Sequence, residues 1–129
     1  MPDTDTTLQD LREQVRTFVR EREWEQFHSV KELATAIAIE AAELMEPLLW
    51  MAPGEAEQAL QQPATRRQVE EELADVLILC MSLANKLDSD LSAVVAAKLR
   101  ANAAKYPADQ ARGSARKYTH YLRAQRSGE

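Results

Sequence analysis

The stretch EEELADVLILC, residues 70–80, decides how this chain folds. From residue 73 to residue 84 the side chains are apolar on almost every side of a helix, which is typical of a helix buried on most of its faces. Two carboxylates, Glu72 and Asp75, lie three residues apart at the start of this run. Acidic side chains are therefore placed on a helix that is expected to be buried.

A second helical stretch, AIAIEAAEL at residues 36–44, repeats the arrangement. Glu40 lies in the apolar stripe of this helix, and Glu43 follows on the next turn. Unpaired carboxylates in apolar surroundings cost several kcal/mol each, and no Lys or Arg occurs between residues 73 and 85. The two E-x-x-[ED] pairs therefore predict a shared cation. The alternative is that Glu40 or Glu72 lies at the edge of its stripe and pairs with a distant arginine.

The ligand types limit which metal fits. Mg²⁺ prefers carboxylate oxygens and keeps some of its waters. Neither acidic pair contains His or Cys, whereas di-iron sites in helical bundles use Glu-x-x-His motifs. The predicted cofactor is therefore Mg²⁺, with Mn²⁺ as a substitute. The predicted metal ligands are Glu40, Glu43, Glu72 and Asp75.

Four long helices are predicted, separated by capping residues, Pro and Gly. They span about residues 6–23, 29–50, 65–87 and 90–105, and capping boxes start the second at Ser29 and the third at Thr65. Short connections between helices predict an all-α four-helix bundle over residues 1–107. A basic, irregular C-terminal tail is predicted for residues 108–129. Pro47 predicts either a bend in the second helix or its end.

Length and charge narrow the possible functions. A chain of 129 residues has the size of one domain, and its net charge of −5 is unevenly distributed. Residues 1–97 hold 8 Lys/Arg against 19 Asp/Glu, whereas residues 98–129 hold 8 against 2. An acidic body argues against general nucleic-acid binding. The basic end either faces a small anion held by the metal or is a solvated tail.

The sequence also predicts where the protein works and how it assembles. The lone Cys80 is expected to be a small core residue, which fits a reducing compartment. The acidic residues 1–5 do not resemble a signal peptide, and no apolar stretch approaches the roughly 20 residues of a membrane span. A cytoplasmic protein with no membrane partner is expected. The apolar helix around residues 73–84 is expected to pack against a second subunit.

The acidic pairs resemble the E-x-x-E…E-x-x-D signature of the all-α NTP pyrophosphatases, the MazG-like superfamily. Over about residues 20–119 the chain looks most like the dCTP pyrophosphatase branch. Besides the acids, the likeness rests on residues 22–28, 41–44, 71–77, 105–108 and 114–119 and on Trp50. Leu79 departs from it where the branch has a Tyr, and Pro47 is also atypical. Both departures bear on base selectivity rather than on the metal site.

The resemblance implies a hydrolase that converts a nucleoside triphosphate, with dCTP or a modified dCTP first, to the monophosphate and pyrophosphate. It implies that the four acids hold Mg²⁺ and are catalytic. It does not identify the general base, for which Glu40 is our candidate. The substrate-binding residues that it implies are Trp24, His28, Lys31, Trp50, Lys98 and Asn102. Lys105 shares a helical face with Lys98 and Asn102, since the three are spaced i, i+4 and i+7.

Other functions stay open at this point. One is a dUTPase-like or broad-specificity NTP pyrophosphatase on the same fold, and another is a non-catalytic helical binding module. Four retained carboxylates argue against the module, because it would gain stability by losing them. The family resemblance implies a homo-oligomer, either a tetramer or a dimer, that acts on nucleotides to clean the nucleotide pool.

Overall fold

The computed structural model describes residues 1–127 and shows an all-helical fold, with no strand among these residues. The all-α class predicted from the sequence is confirmed. The helices are α1 Leu8–Glu21, α2 Val30–Met45, α3 Pro53–Ala59, α4 Pro63–Lys86, α5 Leu91–Lys105, α6 Ala108–Ala111 and α7 Tyr118–Ser127. Two 3₁₀ turns, Trp24–Phe27 and Glu46–Leu48, follow α1 and α2.

The chain divides into two compact units, residues 1–89 and the residues from Asp90 onward. In the first unit α4 contacts both α1 and α2, so it is the central helix there. Leu33 of α2 is only 2% exposed, and the buried core also includes Val15 and Met81. The domain boundary predicted after residue 107 stays a prediction.

Two predicted helix starts are confirmed by hydrogen bonds. The hydroxyl of Ser29 accepts from the Glu32 N–H at 3.1 Å, and the Glu32 carboxylate accepts from the Ser29 N–H at 3.2 Å. At α5 the Asp90 carboxylate accepts from the Ala93 N–H at 3.0 Å. Local side-chain chemistry therefore determines where α2 and α5 begin.

Prolines move two other helix boundaries away from their predicted positions. Helix α2 ends at Met45 rather than near residue 50, and the chain continues as the 3₁₀ turn that contains Pro47. Pro47 has no N–H for an α-helical hydrogen bond, so the second of the two predicted alternatives holds. Helix α4 begins at Pro63 instead of the predicted box at Thr65, because a proline is already shaped for the first helical position.

The C-terminal segment is not irregular as predicted. It contains the short helix α6 and the ten-residue helix α7, separated by Gly113 at a φ of 72°. Residues 118–127 contain no Gly or Pro and several good helix formers, and this local preference explains α7.

Helix α4 leaves part of its apolar surface uncovered in the single chain. Leu73, Leu77 and Ile78 are each between 42% and 48% exposed. The expectation that this helix is buried on most faces is therefore not met within one subunit, and the predicted homo-oligomer remains a prediction. Among residues 1–127, no helix is both long and apolar enough to cross a membrane.

Candidate metal centre

Three glutamates from two helices form the centre of the candidate site. Glu40 and Glu43 lie on successive turns of α2, and Glu72 lies on α4, which packs against α2. One carboxylate oxygen from each of the three lies within 4.8 Å of the others. The three-residue spacing on α2 thus presents two carboxylates to a third on the neighbouring helix.

Two carboxylate oxygens of these glutamates are buried without a partner. The Oε2 atoms of Glu40 and Glu72 are inaccessible to solvent and have no hydrogen-bond donor. Among residues 1–127 the salt bridges involve other residues, so the proposed pairing of Glu40 or Glu72 with a distant arginine is not seen. Buried oxygens of this kind require a proton or a cation.

The pKa values of two of the carboxyls reflect this crowding. The pKa of Glu40 is raised, first by a hydrogen bond that its protonated form shares with Glu43, then by burial and by the nearby negative charges. Burial is the largest cause of the raised pKa of Glu72, followed by the charges of Glu43 and Asp75. The cluster therefore resists carrying its full negative charge unless a cation neutralises it.

Asp75, the fourth predicted ligand, is solvent-exposed and lies outside the group of three close oxygens. Its charge nevertheless raises the pKa of both Glu40 and Glu72, which places it beside the cluster. Its role as a metal ligand stays a prediction.

Glu46 is a fifth acid that the sequence analysis missed. It opens the 3₁₀ turn after α2, a turn that contacts α4, and its charge also raises the pKa of Glu72. The N–H of Glu46 still donates to the carbonyls of Ala42 and Glu43, so Glu46 continues the helical path and lies about 60° around the axis from Glu43. The run E-x-x-E-x-x-E at residues 40–46 was the signal that could have revealed it.

The donor set fits a hard divalent cation. It consists of carboxylate oxygens alone, two of them buried and unpartnered. Such oxygens suit Mg²⁺ or Mn²⁺ better than soft metals, which prefer thiolate or imidazole.

The predicted aromatic residues occupy different surroundings. The Trp24 ring packs edge-on against Phe18, with centroids 5.7 Å apart, and lies 6.5 Å from the ring of His28. Trp50 is 92% exposed, and no ring contact links it to Trp24. The structure thus brings Trp24 and His28 together, but not Trp50.

A cavity of about 260 Å³ opens on the first unit, beside His28. It is bounded by α1, the turn Trp24–Phe27, the start of α2 and the C-terminal part of α4. The residues that line it are Val15, Arg16, Val19, Glu25, His28, Leu33, Ser82, Asn85 and Lys86. Of the predicted substrate-binding residues, only His28 is among them.

The cavity and the acidic cluster share the same two helices. Leu33 precedes Glu40 on α2 by seven residues, and Ser82 follows Glu72 on α4 by ten. Because the two helices therefore run antiparallel, the cavity lies about 10–15 Å from the cluster along the helix axes.

Comparison with known proteins places this arrangement in a family. The MazG-like family matches residues 35–120, which include Glu40, Glu43, Glu46, Glu72 and Asp75. The chain belongs to the MazG-like family. This confirms the resemblance found in the sequence.

Several relatives of this MazG-like chain have been described. It is 42% identical to human dCTP pyrophosphatase 1 over 113 residues, and 38% identical to the bovine protein of that name over 116. These matches cover 88% and 90% of the chain, and 66% and 69% of the relatives. The solved structure of a pyrophosphatase from Archaeoglobus fulgidus superimposes with a TM-score of 0.73 at 32% identity, covering 83% of the chain and 98% of that structure.

The remaining predicted substrate-binding residues of the MazG-like chain are cationic or polar. Lys31 is exposed on the first turn of α2. Lys98, Asn102 and Lys105 all lie on α5 in the second unit, as their spacing predicts. Lys98 is exposed and Asn102 is half-buried. Their approach to the acidic cluster stays a prediction.

Proposed function

We propose that this MazG-like chain is a metal-dependent nucleoside triphosphate pyrophosphatase that hydrolyses dCTP or a modified dCTP to the monophosphate and pyrophosphate. The observation that carries the proposal is the three-glutamate cluster with two buried, unpartnered oxygens, in a chain of this family. The names of the human, rat and mouse relatives, all dCTP pyrophosphatase 1, support the substrate. The chain spans 66% of the length of these three relatives.

Glu40, Glu43 and Glu72, with Asp75 beside them, are the residues that would hold Mg²⁺, or Mn²⁺ in its place. A divalent ion bound there supplies charge neutralisation at the triphosphate and makes a bound water more acidic. Without it, the like charges of the cluster would repel the triphosphate.

The bond changes follow from the products. A water oxygen attacks the α-phosphorus, and the bond from that phosphorus to the bridging oxygen of the β-phosphate breaks. Pyrophosphate leaves, and the proton of the water passes to a base. Glu40 is our candidate for this base, because its raised pKa brings it nearer to the working pH than an ordinary glutamate.

The base of the substrate would bind away from the acids. Trp24 and His28 lie together near the cavity, and stacking on an aromatic ring contributes roughly 1–3 kcal/mol per base. Trp50 is exposed and free to meet a bound nucleotide. Leu79, half-buried on α4, offers no hydrogen bond where the related branch has a Tyr. This favours a broader base selectivity as the second candidate activity.

The proposal also covers the residues that would contact the phosphates or sugar, the oligomeric state, and the cellular compartment in which the enzyme acts. Lys31, Lys98 and Lys105, with Asn102, would contact the phosphates or sugar. The uncovered apolar side of α4 supports a homo-oligomer, a tetramer or a dimer, in which a second copy covers Leu73, Leu77 and Ile78. The enzyme would act in the cytoplasm.

The test is hydrolysis of a panel of dNTPs and NTPs with Mg²⁺, with products separated by chromatography. We expect dCMP and pyrophosphate from dCTP, and no turnover by the Glu43→Gln variant. Orthophosphate as the first product would overturn the proposed bond cleavage. Preference for dUTP, or equal rates on all substrates, would favour the second candidate activity. No turnover of any triphosphate would favour a binding module.

A further inference from the structure

We propose that Ser82 and Asn85 bind the polar edge of the substrate's base inside the cavity, and that Arg12 positions Asn85 for this role. The inference rests on the proposed function and deepens it, because it assigns base selectivity to residues that the acidic signature does not include. It starts from two polar side chains of α4 that line the cavity.

Ser82 is a buried side chain with an unused hydroxyl. It is only 8% exposed, it lines the cavity, and it forms no hydrogen bond within residues 1–127. A serine inside a helix can donate to the carbonyl four residues earlier, but the Ser82 hydroxyl does not. The Ser82 oxygen is not among the enclosed side-chain atoms that lack a partner, so the hydroxyl opens onto the cavity, where a bound ligand would take the place of water as its hydrogen-bond partner.

Asn85 is held in one orientation by α1. Its Oδ1 accepts from Nε of Arg12 at 3.0 Å and from a terminal nitrogen of Arg16 at 3.2 Å. Its Nδ2 donates to the backbone carbonyl of Arg12 at 3.1 Å. Because two guanidinium groups occupy the oxygen, the amide cannot turn over without placing N–H groups against cations. The second N–H of Nδ2 has no acceptor in the described chain.

The guanidinium group of Arg12 is itself held by hydrogen bonds to two different residues. It is 8% exposed, and it also donates to the Ser89 carbonyl at 2.8 Å. No carboxylate pairs with it in residues 1–127, so its hydrogen bonds go to neutral oxygens at the end of α4. Arg12 therefore acts on the cavity through Asn85, as a positioning residue.

The side chains of Ser82 and Asn85 together complement the hydrogen-bonding groups of a cytosine. Ser82 and Asn85 are three residues apart and so lie on one face of the helix. The hydroxyl donates or accepts, the free amide N–H donates, and the carboxylate of Glu25, which also lines the cavity, accepts. A cytosine edge carries a carbonyl oxygen, an unprotonated ring nitrogen and an amine, which are the complementary groups. Thymine and uracil replace the amine by a carbonyl, which Glu25 would repel.

The volume of the cavity and its distance from the acidic cluster fit a site for the base alone rather than for a whole nucleotide. The cavity volume of about 260 Å³ is below the roughly 300–1,000 Å³ of sites that enclose complete small-molecule ligands. Its distance of about 10–15 Å from the acidic cluster leaves room for the sugar and phosphates of an extended nucleotide between the two.

The first experiment measures base binding without catalysis. We would titrate dCMP and dTMP into the full chain in EDTA by calorimetry, for the wild type and the variants Ser82→Ala and Asn85→Ala. We expect dCMP to bind more tightly than dTMP, and each variant to weaken dCMP binding about tenfold. The matched control is Gln14→Ala, an exposed change on α1 that should leave dCMP binding unchanged.

Asn85→Asp separates binding from folding. The aspartate keeps acceptors for both arginines but lacks the free N–H donor, so the melting temperature should hold while dCMP binding falls. Arg12→Lys should reduce the preference of dCMP over dTMP, with Asn85 still present. Unchanged dCMP affinity in Ser82→Ala and Asn85→Asp, or no dCMP binding by the wild type, would overturn the inference. These results do not depend on turnover, so they are distinct from failure of the proposed hydrolysis.

Discussion

Glu40 and Glu72 approach each other from neighbouring helices, and each buries one carboxylate oxygen where no hydrogen-bond donor reaches it. Ordinary buried polar atoms in a folded protein are satisfied by their neighbours. Here the neighbours are further acids, Glu43 and Asp75, which increase the repulsion. The fold therefore retains an unfavourable charge arrangement that a bound cation relieves.

The first prediction follows from this repulsion. The Glu40→Gln variant should lose turnover, yet its metal-free form should melt at a higher temperature than the wild type, because one of the like charges is removed. Mg²⁺ should raise the melting temperature of the wild type more than that of the variant, since a ligand bound only by the native state stabilises it. Thermal denaturation in EDTA and in Mg²⁺ measures both effects. Normal activity in Glu40→Gln would refute the site.

The second prediction concerns pH. The pKa values of Glu40 and Glu72 are raised above 4.5, so the metal-free native state binds protons that the unfolded chain releases. This contribution to stability grows as the pH falls from neutral through the raised values toward 4.5, and it is lost as the pH rises. Denaturant unfolding in EDTA across this range should show the trend in the wild type, with a shallower one in Glu40→Gln. Equal slopes in the two proteins would contradict the raised pKa of Glu40.

The third prediction concerns the exposed apolar residues of α4. Leu77 is 48% exposed in the single chain, and Leu73 and Ile78 lie beside it. We expect a homo-oligomer at micromolar concentration, and the Leu77→Asp variant should dissociate it because a buried charge is costly. Light scattering measures the mass, and circular dichroism verifies that the variant stays helical. A monomeric wild type would refute the predicted interface.

The fourth prediction separates the two tryptophans. Trp50 is 92% exposed, so Trp50→Ala should leave the melting temperature unchanged. If Trp50 stacks on the base, KM should rise about tenfold. Trp24→Ala should raise KM and also lower stability, because its ring packs against Phe18. A Trp50→Ala variant with wild-type KM would remove Trp50 from the substrate site, and the metal dependence should stay the same in both variants.

Hydrophobic periodicity and capping residues were sufficient to predict the main helices. Ser29 and Asp90 act through neighbours three residues away, so their roles are visible in a short segment of sequence. The start of α4 was misplaced because Pro63 outweighs the surrounding helix signals, whereas Pro47 had indicated the end of α2 as one of two alternatives.

The acidic site and the cavity differ in how well the sequence predicts them. The cluster of Glu40, Glu43 and Glu72 was predictable because carboxylates stand out in apolar helices. Ser82 and Asn85 gave no such signal, since small polar residues in an apolar run are common. Their surroundings depend on α1, which periodicity does not position.

The hydrogen bond from Arg12 to Asn85 joins residues 73 positions apart in the chain. Closing so long a loop costs chain entropy that contacts made earlier must offset. The α2–α4 pair is separated by a much shorter segment, so it is expected to form before α1 docks. Helix α1 is then the last element to join the first unit and the first to detach. Its amide protons should exchange with solvent before those in the middle of α4, and the cavity walls would be completed only in the final step of folding.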